Sequence, residues 1–183
     1  MLLAQLAISE SGHHGAHVHG EAEMTLVVEG QSLHIELTAP AMSIVGFEHR
    51  AQSPAQIDAV RTAREVLRNA ADIFGFVGVQ CDLQAVELDF AAVWDEASAH
   101  GAGHAEHHAR HDAVSEPQSV NESHSDISAN YSFLCTNERR LEAVSVGQDE
   151  LPFGLQAINA MWVSESSQGA AALTAAARVI ELN

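Results

Sequence analysis

Alternating apolar and polar residues near the start of the chain predict a β-hairpin. Every second residue is apolar from Ala22 to Val28 and again from Leu33 to Leu37, and residues at i and i+2 lie on one face of a strand. The segment Glu29-Gly30-Gln31-Ser32 between them fits a tight turn. Pro40 should close the second strand because proline has no N–H to donate. We expect the first strand to extend back, in the same phase, through the histidines that precede it.

A helical pattern over residues 54 to 74 follows the hairpin. Ser53-Pro54 supplies an N-cap and a proline at the first helical position. Apolar residues then recur at helical spacing, and the opposite face carries charges that are typical of a solvated surface. Gly75 and Gly78 are expected to end the helix, and residues 79 to 93 return to an extended pattern.

The composition changes abruptly at Ser98. Residues 98 to 123 are mostly small or polar and include five of the twelve histidines of the chain, so they offer little to bury. A loop of this length inside a domain is usually functional or disordered. We expect these residues to form a flexible, histidine-rich insert that is both functional and disordered.

The remaining chain returns to strand-like patterns. Polar and apolar residues alternate from His124 to Cys135, which predicts a strand with one polar face. Beyond it, the sequence suggests a short helix from Glu138 to Gly147 and a strand from Leu155 to Val163. A last strand is expected from Arg178 to Leu182, after the alanine-rich stretch Gly169 to Ala177.

Together these elements predict an α+β domain with a mostly antiparallel sheet, one long helix and a disordered histidine-rich insert. Residues 13 to 183 are expected to form this single domain. Residues 1 to 12 are apolar but lack the basic residues that begin a signal peptide, and we interpret them as a signal remnant or a disordered N-terminus. Since no apolar run reaches the roughly 18 residues that span a bilayer, we expect no membrane span.

The charge of the chain narrows the range of partners. The 183 residues include 25 acidic and 8 basic side chains, which gives a formal net charge of -17. We expect no nucleic-acid partner, because phosphate binding requires clustered cations. A negative field instead raises the concentration of cations near the protein.

Four histidines and two carboxylates lie within eleven residues just before the first strand. They are His13, His14, His17, His19, Glu21 and Glu23. In an extended chain the last four of these share one face. Imidazole is largely neutral at pH 7 and binds zinc, copper and nickel. The run therefore predicts a metal site, and the alternative is an added tag or a solvated histidine run.

The two cysteines, Cys81 and Cys135, each lie within an alternating apolar pattern and far from the histidines. This placement favours a disulfide formed in an oxidising compartment over a pair of zinc thiolates. Such a bond would join the two strands that flank the insert.

Four features of the chain resemble the ZrgA-like periplasmic zinc-uptake (zinc-binding) proteins of Gram-negative bacteria. These are His17-Val-His19-Gly20, Gly46-Phe47-Glu48-His49, the histidine-rich insert, and the strand that runs from His124-Ser-Asp126 to Phe133-Leu-Cys135. The resemblance covers nearly the whole chain. It implies zinc binding outside the cytoplasm, in the periplasm, and cooperation with an ABC-type metal importer.

Twelve histidines are more than one zinc site can use, because zinc in proteins usually takes four ligands. Our first choice joins His17 and His19 to His124 and Asp126. Each pair has i,i+2 spacing on a polar strand face, and the two pairs could meet across the sheet.

The other candidate residues were each given a role, or two alternative roles, beside this first choice of ligands. His49 is either a substitute ligand, because it lies in a loop where binding residues concentrate, or a surface histidine. His13 and His14 either join the site or belong to a mobile tail. Glu21 is expected to support a ligand or be solvated rather than bind metal, and His34 is expected to be a solvated strand residue.

A weaker, flexible metal set is expected on the insert. Its members, at offsets of 0, 4, 7, 8 and 11, are His100, His104, His107, His108 and His111. They would lie along one face if the segment became helical, but glycines and short length disfavour a helix without metal. Zinc either folds the insert or is bound by a random coil, and the sequence leaves both open.

The leading interpretation is a non-catalytic periplasmic protein that captures Zn(II) and cooperates with an ABC-type importer in zinc uptake. One alternative is a metal buffer or sequestering protein without a transporter partner. A zinc-dependent hydrolase is a further alternative, because His-x-His followed by carboxylates also occurs in such enzymes. Since we find no independent general-base or nucleophile arrangement in the sequence, we do not expect an enzyme.

Overall fold

The computed structural model describes residues 19–94, 125–136 and 140–182. The strands in these ranges form two β-sheets. The larger sheet contains β1 (Glu21–Glu29), β2 (Ser32–Pro40), β4 (Gln80–Asp89), β5 (Asp126–Thr136), β7 (Ala157–Val163) and β8 (Gln168–Leu173). The smaller sheet contains β3 (Phe74–Val77), β6 (Ala143–Val146) and β9 (Val179–Glu181).

The strand order of the larger sheet is β4-β5-β2-β1-β7-β8. All of its neighbouring pairs are antiparallel except β1 and β7, which run parallel. The smaller sheet has the order β3-β6-β9 and is antiparallel. The predicted α+β class with a mostly antiparallel sheet is therefore confirmed.

The predicted hairpin is confirmed, but its first strand does not include His19. β1 begins at Glu21, and Gly20 has a φ of 87°, in the left-handed region that a β-strand does not use. The carbonyl of Gly20 accepts a hydrogen bond from the backbone N–H of Gln156 at 2.7 Å. The expectation that one strand phase runs through His19 was wrong, because this glycine turns the chain.

The predicted long helix begins as expected and ends early. α1 (Ala41–Val45) follows β2, and α2 (Pro54–Arg68) starts at a capping box formed by Ser53 and Gln56. Asn69 leaves helical geometry, with φ -88° and ψ 72°, and α3 (Ala70–Ile73) leads straight into β3. The expected end at residue 74 was wrong, because Phe74 and Gly75 pair with β6 and Phe74 is buried.

One expectation for the last third of the chain was also wrong. The stretch from Glu138 to Gly147 was expected to be helical, but it contains β6, in which Ala143, Val144 and Val146 are all buried. β6 is a strand because β3 and β9 pair with it, although its buried residues do not alternate. β8 covers the first half of the alanine-rich stretch Gly169 to Ala177, for which the sequence indicated no element. The predicted strands Leu155 to Val163 and Arg178 to Leu182 are confirmed as β7 and β9.

Tyr131 holds the sheet against the end of α2. Its side chain is 1% exposed, and its hydroxyl donates a hydrogen bond to the carbonyl oxygen of Leu67 at 2.8 Å. The rings of Phe74 and Phe133 lie 5.0 and 6.3 Å from its own ring. One of the last carbonyls of α2, which has no partner within the helix, is thereby satisfied inside the core.

We expect Tyr131→Phe to lower the free energy of unfolding by about 1–3 kcal/mol, because the buried Leu67 carbonyl loses its donor. Burial also raises the pKa of the Tyr131 phenol above its ordinary value. The unfolded chain therefore loses this proton at a lower pH than the folded protein does. The free energy of unfolding of the wild type should fall as the pH rises above about 10. The contribution of Tyr131 ionisation to this fall should be absent from Tyr131→Phe.

Urea unfolding between pH 8 and 11 measures both effects. The titration is simple to interpret because Tyr131 is the single tyrosine, the chain has no lysine, and both cysteines are bonded to each other. Identical slopes of stability against pH in the two proteins would contradict the assignment.

The predicted disulfide is confirmed. Cys81 in β4 and Cys135 in β5 are directly opposite in the strand register and are covalently joined. The alternative of two zinc thiolates is therefore excluded. The insert of residues 98 to 123 lies outside the described residues. No helix in the described ranges is long and apolar enough to cross a membrane.

Candidate metal centre

Several of the predicted ligands lie at one end of the larger sheet. β1 begins there, β2 ends there, and β5 begins there, since Pro40 lies opposite Asp126 in the strand register. α1 follows β2 directly and packs at the same end. Segments that are distant in sequence therefore meet around His19, Glu48 and Asp126.

The loop after α1 carries Glu48 and His49. Gly46 ends the helix with a φ of 84°, which is the usual left-handed C-cap. Phe47 then turns inward and is 7% exposed, and its ring lies 5.3 Å from the imidazole of His49. The buried phenylalanine fixes the loop, so that the two polar residues that follow it are held at the sheet end.

His19 and Glu48 face each other across this end. The Nε2 atom of His19 lies 3.5 Å from Oε1 of Glu48, and the two side chains are 63% and 25% exposed. The N–H of Gly20 donates to the hydroxyl of Ser43 in α1 at 3.0 Å, which ties the start of β1 to that helix. The pair is an ion pair only when His19 is protonated, and in the neutral state both groups offer lone pairs to a cation.

The start of β5 is tied to the same loop. The hydroxyl of Ser125 donates to the carbonyl oxygen of Glu48 at 2.9 Å, and the carbonyl of Ser125 accepts from the N–H of Ala41 at 2.7 Å. Asp126 is the next residue and is partly buried. Through these two hydrogen bonds, Ser125 holds the beginning of β5 beside Glu48 and beside the start of α1.

The hydrogen bonds of His49 assign its tautomer. Its Nδ1 lies 2.9 Å from the carbonyl oxygen of Arg50, which can only accept, so Nδ1 carries the proton. Its Nε2 lies 3.4 Å from Nε2 of Gln56, whose Oε1 already accepts the N–H groups of Gln52 and Ser53. The Gln56 amide therefore presents an N–H, and Nε2 of His49 holds a lone pair that a metal could use.

The structure separates the predicted site residues into two groups. His19, His49 and Asp126 are placed at this end of the sheet, together with Glu48. His13, His17, His124 and the insert histidines fall outside the described residues. Within the described ranges, the structure contains no group of three or more His, Cys, Asp or Glu side chains close enough to hold a metal ion.

Two residues that were not expected to bind metal directly contact neighbouring strands of the sheet. His34 is exposed on the outer face of the sheet, with its Nδ1 3.1 Å from the hydroxyl of Ser132. Glu21 accepts a hydrogen bond from the Asn159 amide at 3.3 Å. Both contacts connect neighbouring strands and have no relation to Glu48 or His49.

Glu48 is the residue that the sequence did not single out as a ligand. A signal was present, because an acidic residue directly precedes His49 in a loop that opens with glycine. Only the fold shows its position, since the side chain of Glu48 meets a residue 29 positions earlier in the chain. Imidazole and carboxylate groups together form a donor set that suits zinc.

Comparisons with known proteins identify a family for the chain. The chain matches no curated protein sequence. One family, described as ZrgA family zinc uptake protein, matches residues 16–182, which is most of the chain. The protein therefore belongs to the ZrgA family of zinc uptake proteins.

Proposed function

We propose that the protein captures Zn(II) in the periplasm at the sheet end around His19 and delivers it to an ABC-type importer. The single observation that carries this proposal is that three distant segments, tied by the hydrogen bonds of Gly20 and Ser125, lie at one end of the sheet, where the side chains of His19 and Glu48 are 3.5 Å apart. Membership of a zinc uptake family is the reason for proposing zinc as the metal.

The proposed ligands come from the described residues His19, Glu48, His49 and Asp126 and from the adjacent His17 and His124, with His13 as a further candidate. His124 directly precedes Ser125, whose hydroxyl bonds the Glu48 carbonyl. Zinc needs four of these groups, and the imidazoles must be deprotonated to bind it. The weaker set on the insert then raises the local metal concentration, since tethered ligands act at a high effective concentration.

Delivery to a partner is supported by the exposure of the site. The His19 side chain is 63% exposed, so a metal bound there can be reached by ligands of a second protein. A disulfide persists in oxidising compartments such as the periplasm, which agrees with the proposed location. Zinc uptake is not a catalytic role, and we infer that the protein is not an enzyme.

Calorimetric titration with Zn(II), Cu(II) and Ni(II) tests the site. The wild type and a variant in which a short Gly-Ser linker replaces residues 98–123 are compared. We expect one tight zinc equivalent in both proteins and additional weak binding in the wild type alone. Loss of the tight equivalent on removal of the insert would place the main site on the insert and overturn the proposal.

The importer partner needs a separate experiment. Cells that lack the gene, grown with a zinc chelator, are complemented with wild type or with a variant of the proposed ligands, and zinc uptake is measured with and without the importer. We expect the contribution of the protein to vanish when the importer is absent. A contribution that survives without the importer would favour the metal-buffer alternative.

We expect Gln56→Ala to strengthen zinc binding by about two- to fivefold. The amide of Gln56 occupies the Nε2 lone pair of His49, so zinc must displace this contact. An exposed hydrogen bond contributes about 0.5–1 kcal/mol. Ser53→Ala is the matched control, because it removes a hydrogen bond of the same capping box and leaves the contact between Gln56 and His49 in place. Calorimetry measures both, and weaker binding by Gln56→Ala would contradict the assigned tautomer.

A further inference from the structure

A cavity of about 420 Å³ lies at the end of the molecule opposite the proposed metal centre. The β1–β2 turn, the start of β4, the end of β5 and the β7–β8 turn all meet there. The smaller sheet contributes the residues just before β6 and just after β9. β1 spans nine residues, or about 30 Å, between the two ends.

The two sheets together form a shallow cup at this end. The β7–β8 turn is tied to the end of the smaller sheet, because the Ser167 hydroxyl donates to the Leu182 carbonyl at 2.8 Å. On the other side, the N–H of Glu142 donates to the carbonyl of Val77 at 2.9 Å, so the start of β6 is held beside β3. Small-molecule sites commonly occupy such mouths between sheets and have volumes of about 300–1,000 Å³.

One part of the cup's lining is apolar, and the polar remainder includes one cation among the residues that the structure describes. Val28, Val79, Leu141 and Leu182 line it, and Leu182 is 6% exposed. Arg140 also lines it and is exposed, and within the described part of the chain it has no hydrogen-bond or ion-pair partner. Glu165 is the acidic residue of the rim.

Arg140 is one of 8 basic residues in a chain that has 25 acidic residues. Its planar guanidinium binds a carboxylate through two parallel hydrogen bonds, and an apolar wall beside it accepts a hydrocarbon group. We propose that this cavity binds a small apolar molecule that carries a carboxylate, with the carboxylate at Arg140 and the hydrocarbon against Leu141 and Leu182. The site is independent of the proposed metal centre.

Fluorescence titration with the apolar anionic dye 1-anilinonaphthalene-8-sulfonate tests the cavity in the folded, full-length protein. We expect saturable binding of one dye per chain, displaced by sodium decanoate but not by decyltrimethylammonium. Arg140→Gln should weaken dye binding at least tenfold, and Val79→Phe, which fills the cup, should abolish it. Arg68→Gln, on the exposed face of α2, is the matched control and should change nothing.

Circular dichroism of each variant checks that the fold is retained, and zinc titration checks that the metal centre is unaffected. Absence of saturable dye binding overturns the proposal. Displacement by the decyl cation rather than by decanoate would assign the cavity to Glu165 and an apolar cation, which also overturns it. Equal dye binding by wild type, Arg140→Gln and Val79→Phe would show that the dye binds elsewhere.

Discussion

Replacing His19 and His49 together by alanine is expected to abolish the tight zinc equivalent while the fold remains intact. Loss of a residue that only orients a zinc ligand costs about 10–100-fold in affinity, so loss of two direct ligands should cost more than that. Both side chains are exposed, so the core of the two sheets keeps its contacts. Calorimetric zinc titration measures the affinity, and far-ultraviolet circular dichroism measures the fold.

The matched control for this variant is His34→Ala. His34 is also an exposed histidine, but it contacts Ser132 in the middle of the sheet rather than Glu48 or Ser125. We expect its zinc affinity to equal that of the wild type. If the His19/His49 double variant bound its first zinc as tightly as the wild type does, the proposed centre would be wrong.

Within the same centre, Glu48→Gln separates charge from geometry. The glutamine keeps the shape of the side chain and an oxygen acceptor, but it loses the negative charge beside Nε2 of His19. We expect a smaller loss of zinc affinity than in the double variant, because a neutral amide oxygen remains a weak ligand.

Replacing Cys81 and Cys135 together by alanine is expected to lower the free energy of unfolding by about 4 kcal/mol. The disulfide closes a loop with a sequence separation of 54, and in the chain-entropy model a loop of this size restricts the unfolded chain by that amount. Urea unfolding should shift by about 2 M for a protein of this size. Wild type unfolded with a reducing agent should match the double variant.

Zinc affinity should be unchanged in this variant. Cys135 lies nine residues along β5 from Asp126, which is about 30 Å away from the proposed centre. Thiol labelling of denatured, unreduced wild type should detect no free thiol. Two labelled thiols, or the same urea midpoint in wild type and double variant, would contradict the expected contribution of the bond.

The sequence predicted the elements whose pattern arises from their own residues. The β1–β2 hairpin has a strict period of two and a glycine turn, β5 alternates in the same way, and Ser53 with Gln56 forms a local capping box. The pairing of Cys81 with Cys135 followed from two cysteines placed in strands on either side of one insert. For the hairpin, β5 and the capping box the physical cause lies within a few residues, and the disulfide was predictable because the chain has only two cysteines.

Tertiary structure decided the features whose cause is distant in sequence. β6 is a strand because β3 and β9 pair with it, although its buried residues show no period of two. α2 ends at Arg68 because Asn69 leaves helical geometry, and the short α3 then leads into the smaller sheet. β1 and β7 are parallel neighbours across more than 100 residues of chain.

The same division holds for the candidate metal centre. Histidine spacing predicted the metal chemistry, and the sequence placed His19, His49 and Asp126 among the candidates. It did not predict that Gly20 would turn His19 out of the strand phase, or that Glu48 would face it, because those positions depend on contacts with Ser43, Gln156 and Ser125. Residue type thus determined which ligands were available, and the packing of α1 against the sheet end determined which of them meet.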